Sequence, residues 1–236
     1  MMTGVEEEKA PRGAQTLVRG LKALTAVALA SDGMSIVDLA ELLDVHRSIA
    51  YRILTALAES GFVARGSDGR YRGASGLIRL ARGAHGALRA TALPILQDLA
   101  ERLGTTVTLF VREGGFATAA AVVESPGQGF RMAFGPGWKH PLDRGAAGHA
   151  IRSLEPETDS DDENVRMVRT QGYALTFSEV EPNLYGLAVP IPHGPSEGGA
   201  CINLVSNRRE VVEESLPAVI EAAARIAAEL QADFTV

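Results

Sequence analysis

The chain has 236 residues, enough for two separate cores, and a formal net charge of −6. That acidity would repel nucleic acid if it were evenly spread, but residues 1–90 carry 12 Lys+Arg against 9 Asp+Glu, while residues 91–236 carry 11 against 20. One cysteine excludes an internal disulfide, no Cys/His cluster has metal-ligand spacing, and neither a signal segment nor an apolar run of about 20 residues is present. A soluble, cytoplasmic protein without membrane, metal or cofactor is expected.

Residues 1–13, with Glu6-Glu7-Glu8-Lys9 and Pro11, read as a disordered leader. Leu17, Leu21, Leu24 and Ala28 recur at helical spacing and predict the buried stripe of a first helix ending near Asp32-Gly33. Arg19 and Lys22 lie off that stripe, placed either to touch phosphate or simply to be solvated. Ser35 and Asp38 have the spacing of a capping box, and Leu39, Ala40 and Leu43 give the short helix after it one face to bury. Asp44-Val45-His46 breaks the pattern within the few residues a helix-turn-helix allows.

A second helix is predicted from about Arg47 to Ser60, burying Ala50, Ile53, Leu54 and Leu57. Ser48, Tyr51, Arg52 and Thr55 then face outward, and Gly61 supplies the stop. Phe62 to Arg65 and Arg70 to Arg72 flank Gly66-Ser67-Asp68-Gly69 as a β-hairpin. Within residues 45–90, 8 arginines are opposed only by Glu59 and Asp68. Helix, turn, helix and basic hairpin in that order predict a winged helix-turn-helix domain over residues 14–75, its second helix in the major groove of double-stranded DNA. Ser48, Tyr51, Arg52 and Thr55 are the candidate base readers, with Arg47 divided between base and phosphate and Ser35 counted at the entry of the motif. Arg65, Arg70 and Arg72 are the candidate phosphate contacts of the wing. The plainer alternative is a small helical domain with ordinary surface arginines; the wing and the local charge weigh against it.

A linker helix is predicted over residues 76–90, from Leu77 to about Leu88, with Leu77, Leu80 and Ala81 on one side and Gly83 and Gly86 weakening it. The next helix is expected to begin near Pro94 and end at Gly104. Thr105 to Val111 and Ala117 to Glu124 are strands around Gly114-Gly115, and Phe130 to Phe134 a third. A short helix from Gly145 to Ile151, an acidic loop from Glu155, a helix from about Asp162 to Gln171, strands over Leu187 to Ile191 and Ala200 to Val205, and a long helix from about Arg209 to Leu230 complete residues 91–236. The fold class predicted for the whole is α+β, with an antiparallel sheet in the second domain.

Ala50-Tyr51-Arg52-Ile53-Leu54, Leu57-Ala58-Glu59-Ser60-Gly61-Phe62-Val63 and Gly69-Arg70-Tyr71-Arg72 together resemble the DNA-binding domain of IclR-type bacterial transcription regulators. Pro141-Leu142 with Gly145 to Ala150, Gln171-Gly172-Tyr173-Ala174, Glu181 to Ile191 and Ile202 to Ser206 resemble that family's second domain, in the same order. The resemblance implies a GAF-like effector-binding domain for a small organic acid or aromatic metabolite. It also implies homodimers or homotetramers on palindromic operators. Family effector contacts fall on the amides of Ala146 and Ala147 and on Thr176, Gly186 and Asn203. Thr176 stands where the family usually has Asp, and Gly186 where Cys is common, which leaves the pocket expected to be less acidic and roomier. Gly73-Ala74 replaces the usual Leu-Gly at the wing's exit.

Apart from any resemblance, small residues at a helix start expose amides that attract an anion. Arg144 adds a cation for a carboxylate, and Met132, Phe134 and Trp138 supply apolar walls. The bland reading is that Met132 and Phe134 are sheet core and Arg144 is solvated. No nucleophile elbow accompanies His46, His85, His140, His149 or His193, and Cys201 lies in an apolar strand. Arg144-Gly145-Ala146-Ala147-Gly148 approaches an acyltransferase phosphate loop but places the needed glycine one residue late. The expectation is a ligand-responsive repressor rather than an enzyme; the alternatives are a repressor whose second domain only oligomerises, and a winged-helix protein fused to an acyltransferase.

Overall fold

A computed structural model describes residues 14–125, 134–159, 161–192 and 198–233. The chain divides into two compact units, Met1–Ala84 and His85–Val236. The leader over 1–13, most of the expected strand at Phe130 to Phe134, and His193 lie outside the described residues.

The first unit runs α1 (Gln15–Leu29), α2 (Ile36–Leu42), α3 (Arg47–Glu59), β1 (Val63–Arg65), β2 (Tyr71–Gly73) and α4 (Ser75–Gly83). Ser35 caps α2: the Asp38 N–H donates to Ser35 Oγ at 3.2 Å, and the Ser35 N–H donates back to Asp38 Oδ2 at 3.1 Å. The turn into α3 is a Schellman motif, in which the Val45 N–H reaches the Ala40 carbonyl at 3.0 Å. Its left-handed residue is Asp44, at φ 49°, where glycine is usual. Gly61, at φ 75°, ends α3 in the same way, with the Phe62 N–H on the Leu57 carbonyl at 2.9 Å. The wing pairs Val63 with Gly73 and Arg65 with Tyr71, and Met34 bridges Tyr71 on its other side. Ala23, Val27, Leu39, Ala50, Leu54 and Tyr71 are among the buried side chains of this core.

The first helix buries only part of the predicted stripe: Leu24 packs against the core, Ala28 is exposed, and the sealed positions lie on another face. Leu17 and Leu21 are 65% and 55% exposed, whereas Ala23 and Val27 are fully buried. Leu21 and Ala23 lie about 200° apart around a helix, so α1 has two apolar faces, and the unit uses the one with small side chains. Periodicity finds an apolar face; it does not say what covers it.

In the second unit, α5 (Gly86–Leu103) is followed by β3 (Val107–Glu113), β4 (Phe116–Val123), β5 (Lys139–Pro141), α6 (Gly145–Arg152), α7 (Glu163–Gln171), β6 (Ala174–Phe177), β7 (Tyr185–Ile191), β8 (Ala200–Ser206) and α8 (Arg209–Asp233). The strands form one antiparallel sheet in the order β5-β4-β3-β8-β7-β6. Alternation divides its residues: Val107, Leu109, Ile202 and Leu204 pack with α5 and α8, while Phe110, Ala188 and Cys201 pack with α6.

The predicted linker helix is not continuous. It breaks between α4 and α5, at Ala84 and a left-handed His85 (φ 51°), between the two glycines already suspected of weakening it. Pro94, in turn, lies inside α5 instead of opening it. Losing one helical hydrogen bond there costs about 3 kcal/mol. Leu88, Ala92, Ile95, Leu96 and Leu99 are buried on both sides of it, and each large apolar side chain returns about 1.5–3 kcal/mol. Strands β5 and β6 were not anticipated; they are three and four residues long and form the two edges of the sheet.

Candidate functional site

The outer side of α3 holds Arg47, Ser48, Tyr51 and Arg52, all exposed, above the buried Ala50 and Leu54. Thr55 is half-buried, and its hydroxyl donates to the Tyr51 carbonyl at 2.9 Å. Ser35 is committed to the capping box.

The three wing arginines are not equivalent. Arg70 donates to the Gly33 carbonyl and to Asp38 Oδ2, each at 3.0 Å. Arg72 grips both oxygens of Asp68, at 3.1 and 2.7 Å, and the Asp32 carbonyl at 3.1 Å. The Arg72 hydrogen bonds, with the Arg70 N–H, pull the Asp68 carboxyl down to about 2. Arg65 is the most exposed of the three and has no carboxylate partner among the described residues; its Nε donates to the Gly69 carbonyl at 3.4 Å, and its guanidinium lies 5.9 Å over the Tyr71 ring. Arg70 and Arg72 therefore brace the wing against the start of α2. Such exposed pairs hold weakly and can exchange a carboxylate for a phosphate.

In the second unit, a cavity with about 430 Å³ of empty space, open solvent included, lies between the sheet and the start of α6. Phe134 and Trp138 stack at 4.2 Å between ring centroids, Phe110 meets each edge-on at 6.2 Å, and His140 stands 5.6 Å from Phe110. His140 is 7% exposed; burial pushes its pKa down, and Nδ1 lies 2.8 Å from the Pro141 carbonyl. Opposite these rings are Ala146, Ala147, Thr176, Gly186 and Asn203. Asn203 donates to the Leu187 carbonyl at 2.9 Å.

Two glycines shape this corner. Gly145 has φ 76°, and a Cβ there would meet Val180 Cγ2 at 2.5 Å. A Cβ at Gly186 would lie 3.0 Å from Thr176 Oγ1 and 3.3 Å from Ala146 Cβ. The missing side chain at Gly186 thus lets Thr176 and α6 close in, and the space expected there is already occupied.

Phe134, Ala146, Ala147, Thr176, Gly186 and Asn203 all line the cavity, as does Trp138. Met132 lies outside the described residues. Arg144 is not a lining residue: it is the N-cap of α6, its side chain is 53% exposed, and Nε donates to Asp143 Oδ1 at 3.0 Å. Adjacent opposite charge in sequence satisfied it locally.

Sequence reasoning missed Phe110, His140 and, above all, Glu179. Glu179 Oε2 accepts the Gly145 N–H at 2.7 Å and lies 2.8 Å from His149 Nε2. Its role depends on the β6–β7 connection, and β6 was not recognised.

Cys201 is fully buried, and burial pushes its thiol far above the ordinary range, so it is no nucleophile. No described helix is long and apolar enough to cross a membrane. Among the described residues no group of three or more His, Cys, Asp or Glu could hold a metal ion.

Residues 16–67 match the model of the IclR helix-turn-helix domain. The HTH-type transcriptional regulator KipR of Bacillus subtilis is 24% identical over 233 residues, covering 88% of this chain and 92% of that protein. The HTH-type transcriptional regulator Rv1719 of Mycobacterium tuberculosis is 30% identical over 158 residues, covering 66% and 61%. Among solved structures, the Thermotoga maritima IclR protein superposes with a TM-score of 0.72 at 25% identity, over 91% of this chain and 98% of that one. An IclR homolog from Microbacterium hydrocarbonoxydans, complexed with 4-hydroxybenzoate, shares the fold with a TM-score of 0.75 at 20% identity, over 92% and 99%. Residues 16–67 thus carry an IclR-type helix-turn-helix domain, and the chain is similar over most of its length to DNA-binding transcriptional regulators, whose names mark regulators and not enzymes.

Proposed function

We propose that the protein is a cytoplasmic repressor that binds palindromic operator DNA as a homodimer or homotetramer, and that a small aromatic molecule held in the second unit alters that binding. The cavity walled by Phe110, Phe134, Trp138 and His140 carries the ligand-responsive part of the reading. Planar walls with a few polar groups at one end are the mix a small-molecule site needs. The 4-hydroxybenzoate complex of the Microbacterium homolog supports an aromatic occupant. A carboxylate occupant has less support here, because the cation meant to receive it, Arg144, is paired with Asp143. In this reading Ser48, Tyr51 and Arg52 reach base edges, and Arg47 and Arg65 hold phosphate. Self-association is supported by apolar side chains left uncovered in the first unit: Leu17, Leu21 and Leu29 on α1, Ile78 and Leu80 on α4. A two-fold assembly asks for a palindromic site.

The test is fluorescence anisotropy on the DNA upstream of the protein's own gene, repeated with a panel of small aromatics. At least one is expected to shift operator affinity by about tenfold, roughly 1.4 kcal/mol of coupling. Operator affinity that stays constant across the panel, with no ligand raising the melting temperature, would rule out the sensing role.

A further inference from the structure

Two of the three wing arginines are tied down along their length. Residues 32–34 run beside β2: the Met34 N–H donates to the Tyr71 carbonyl at 2.9 Å, and the Tyr71 N–H donates back to the Met34 carbonyl at 2.8 Å. The Arg72 stem lies against Gly33, which has φ 71°; a Cβ there would meet Arg72 Cγ at 2.9 Å. Its guanidinium forks onto both oxygens of Asp68 and also donates to the Asp32 carbonyl. Arg70 joins the Gly33 carbonyl to Asp38 Oδ2, the oxygen that accepts the Ser35 N–H in the capping box of α2. Each of the two therefore holds one carboxylate and one backbone carbonyl. Arg65 holds only the Gly69 carbonyl, at 3.4 Å. Both carboxyls stay ionised near neutral pH: Asp68 is drawn down to about 2, chiefly by Arg72, and Asp38 is held below the ordinary carboxylate range by its Ser35 hydrogen bonds and by Arg70.

We propose that Asp68 and Asp38 are positioning residues that withhold Arg72 and Arg70 from the duplex, so that the wing engages a single phosphate, through Arg65. The inference rests on the reading that the wing lies on the DNA backbone. The Arg70 and Arg72 side chains are 41% and 43% exposed, and an exposed ion pair taken alone is weak enough to be traded for a phosphate. What a phosphate cannot replace is the carbonyl that each guanidinium also holds. Turning Arg72 outward gives up the Asp32 carbonyl and the packing on Gly33, and it leaves Asp68 as an unpaired anion facing the duplex. Release thus loses two contacts and adds a repulsion for the one phosphate gained, so the clasps stay closed on DNA.

Salt dependence counts the phosphates engaged: each one neutralised adds about 0.9 to the slope of log affinity against log salt on B-DNA. The slope is read by fluorescence anisotropy of the full chain on one duplex of fixed sequence. Arg65→Ala is expected to make it shallower by about 0.9, whereas Arg70→Gln and Arg72→Gln leave it at the parent value. Asp68→Asn unclasps Arg72 and is expected to steepen the slope by about 0.9 and to tighten binding at low salt. In an Arg72→Gln background the same change is expected to leave the slope unmoved, which separates a released arginine from the loss of a repelling acid. A slope shallower by about 0.9 in Arg70→Gln or Arg72→Gln overturns the proposal, as does an Asp68→Asn effect that persists without Arg72. Asp68→Asn removes no arginine, so an unchanged slope in that variant overturns the proposal even where an arginine variant fails to fold. An unchanged slope in Arg65→Ala takes the wing off the DNA backbone and overturns that reading together with the proposal.

Discussion

At the scale of single residues, role follows from what a side chain already touches. Arg52 and Arg72 looked alike as arginines of a DNA-binding surface. Arg72 is forked onto Asp68, whereas Arg52 is exposed on the outer side of α3. Replacing Arg52 with alanine is expected to weaken operator binding by about 1–3 kcal/mol and to relax discrimination at one base pair, because the base contact proposed for it would be lost. Anisotropy titrations against the operator and single-base variants check this. An equal loss on every sequence, with a shallower salt dependence, would reassign Arg52 to phosphate. Glu179 is the opposite case. Nothing near it in sequence marks a polar loop acid as a helix partner, because Gly145 is 34 residues away.

Among elements, legibility tracked how local the cause was. The capping box on α2, the glycine stop of α3 and the Asp-Gly turn of the wing each depend on residues within one turn of one another, and each could be read from spacing. The break at Ala84–His85, the helical Pro94 and the edge strands β5 and β6 depend on packing or pairing with distant segments, which spacing does not encode. Ser35 shows how an element-level role can pass for a binding role. Its side chain caps α2, so Ser35→Ala is expected to lower stability by about 1 kcal/mol in urea denaturation and leave operator affinity of the folded protein unchanged. Affinity falling by more than the loss of folded protein accounts for would make Ser35 a DNA contact after all.

For the whole molecule, the decisive observation is that the first helix carries two apolar faces and its own unit covers only one. Ala23 and Val27 are sealed inside, while Leu17, Leu21 and Leu29 stand 65%, 55% and 81% exposed. Single exposed leucines are ordinary, but three lie on this one helix, and Ile78 and Leu80 of α4 are exposed as well; exposed apolar side chains in such number are what a partner would cover. If that partner is a second copy, each recognition helix is placed by the other's half-site. Operator affinity then depends on association as much as on the arginines of α3. Leu21→Glu puts a charge into this face without touching the Ala23–Val27 core or the outer side of α3. It is expected to lower the assembly state in sedimentation at micromolar concentration. It is also expected to weaken binding to a full operator by at least about tenfold, while an isolated half-site is bound as before, because losing the second half-site removes an effectively intramolecular contact. An unchanged sedimentation profile would place the subunit contacts elsewhere, and equal losses on full and half sites would show damage to the DNA-binding unit itself.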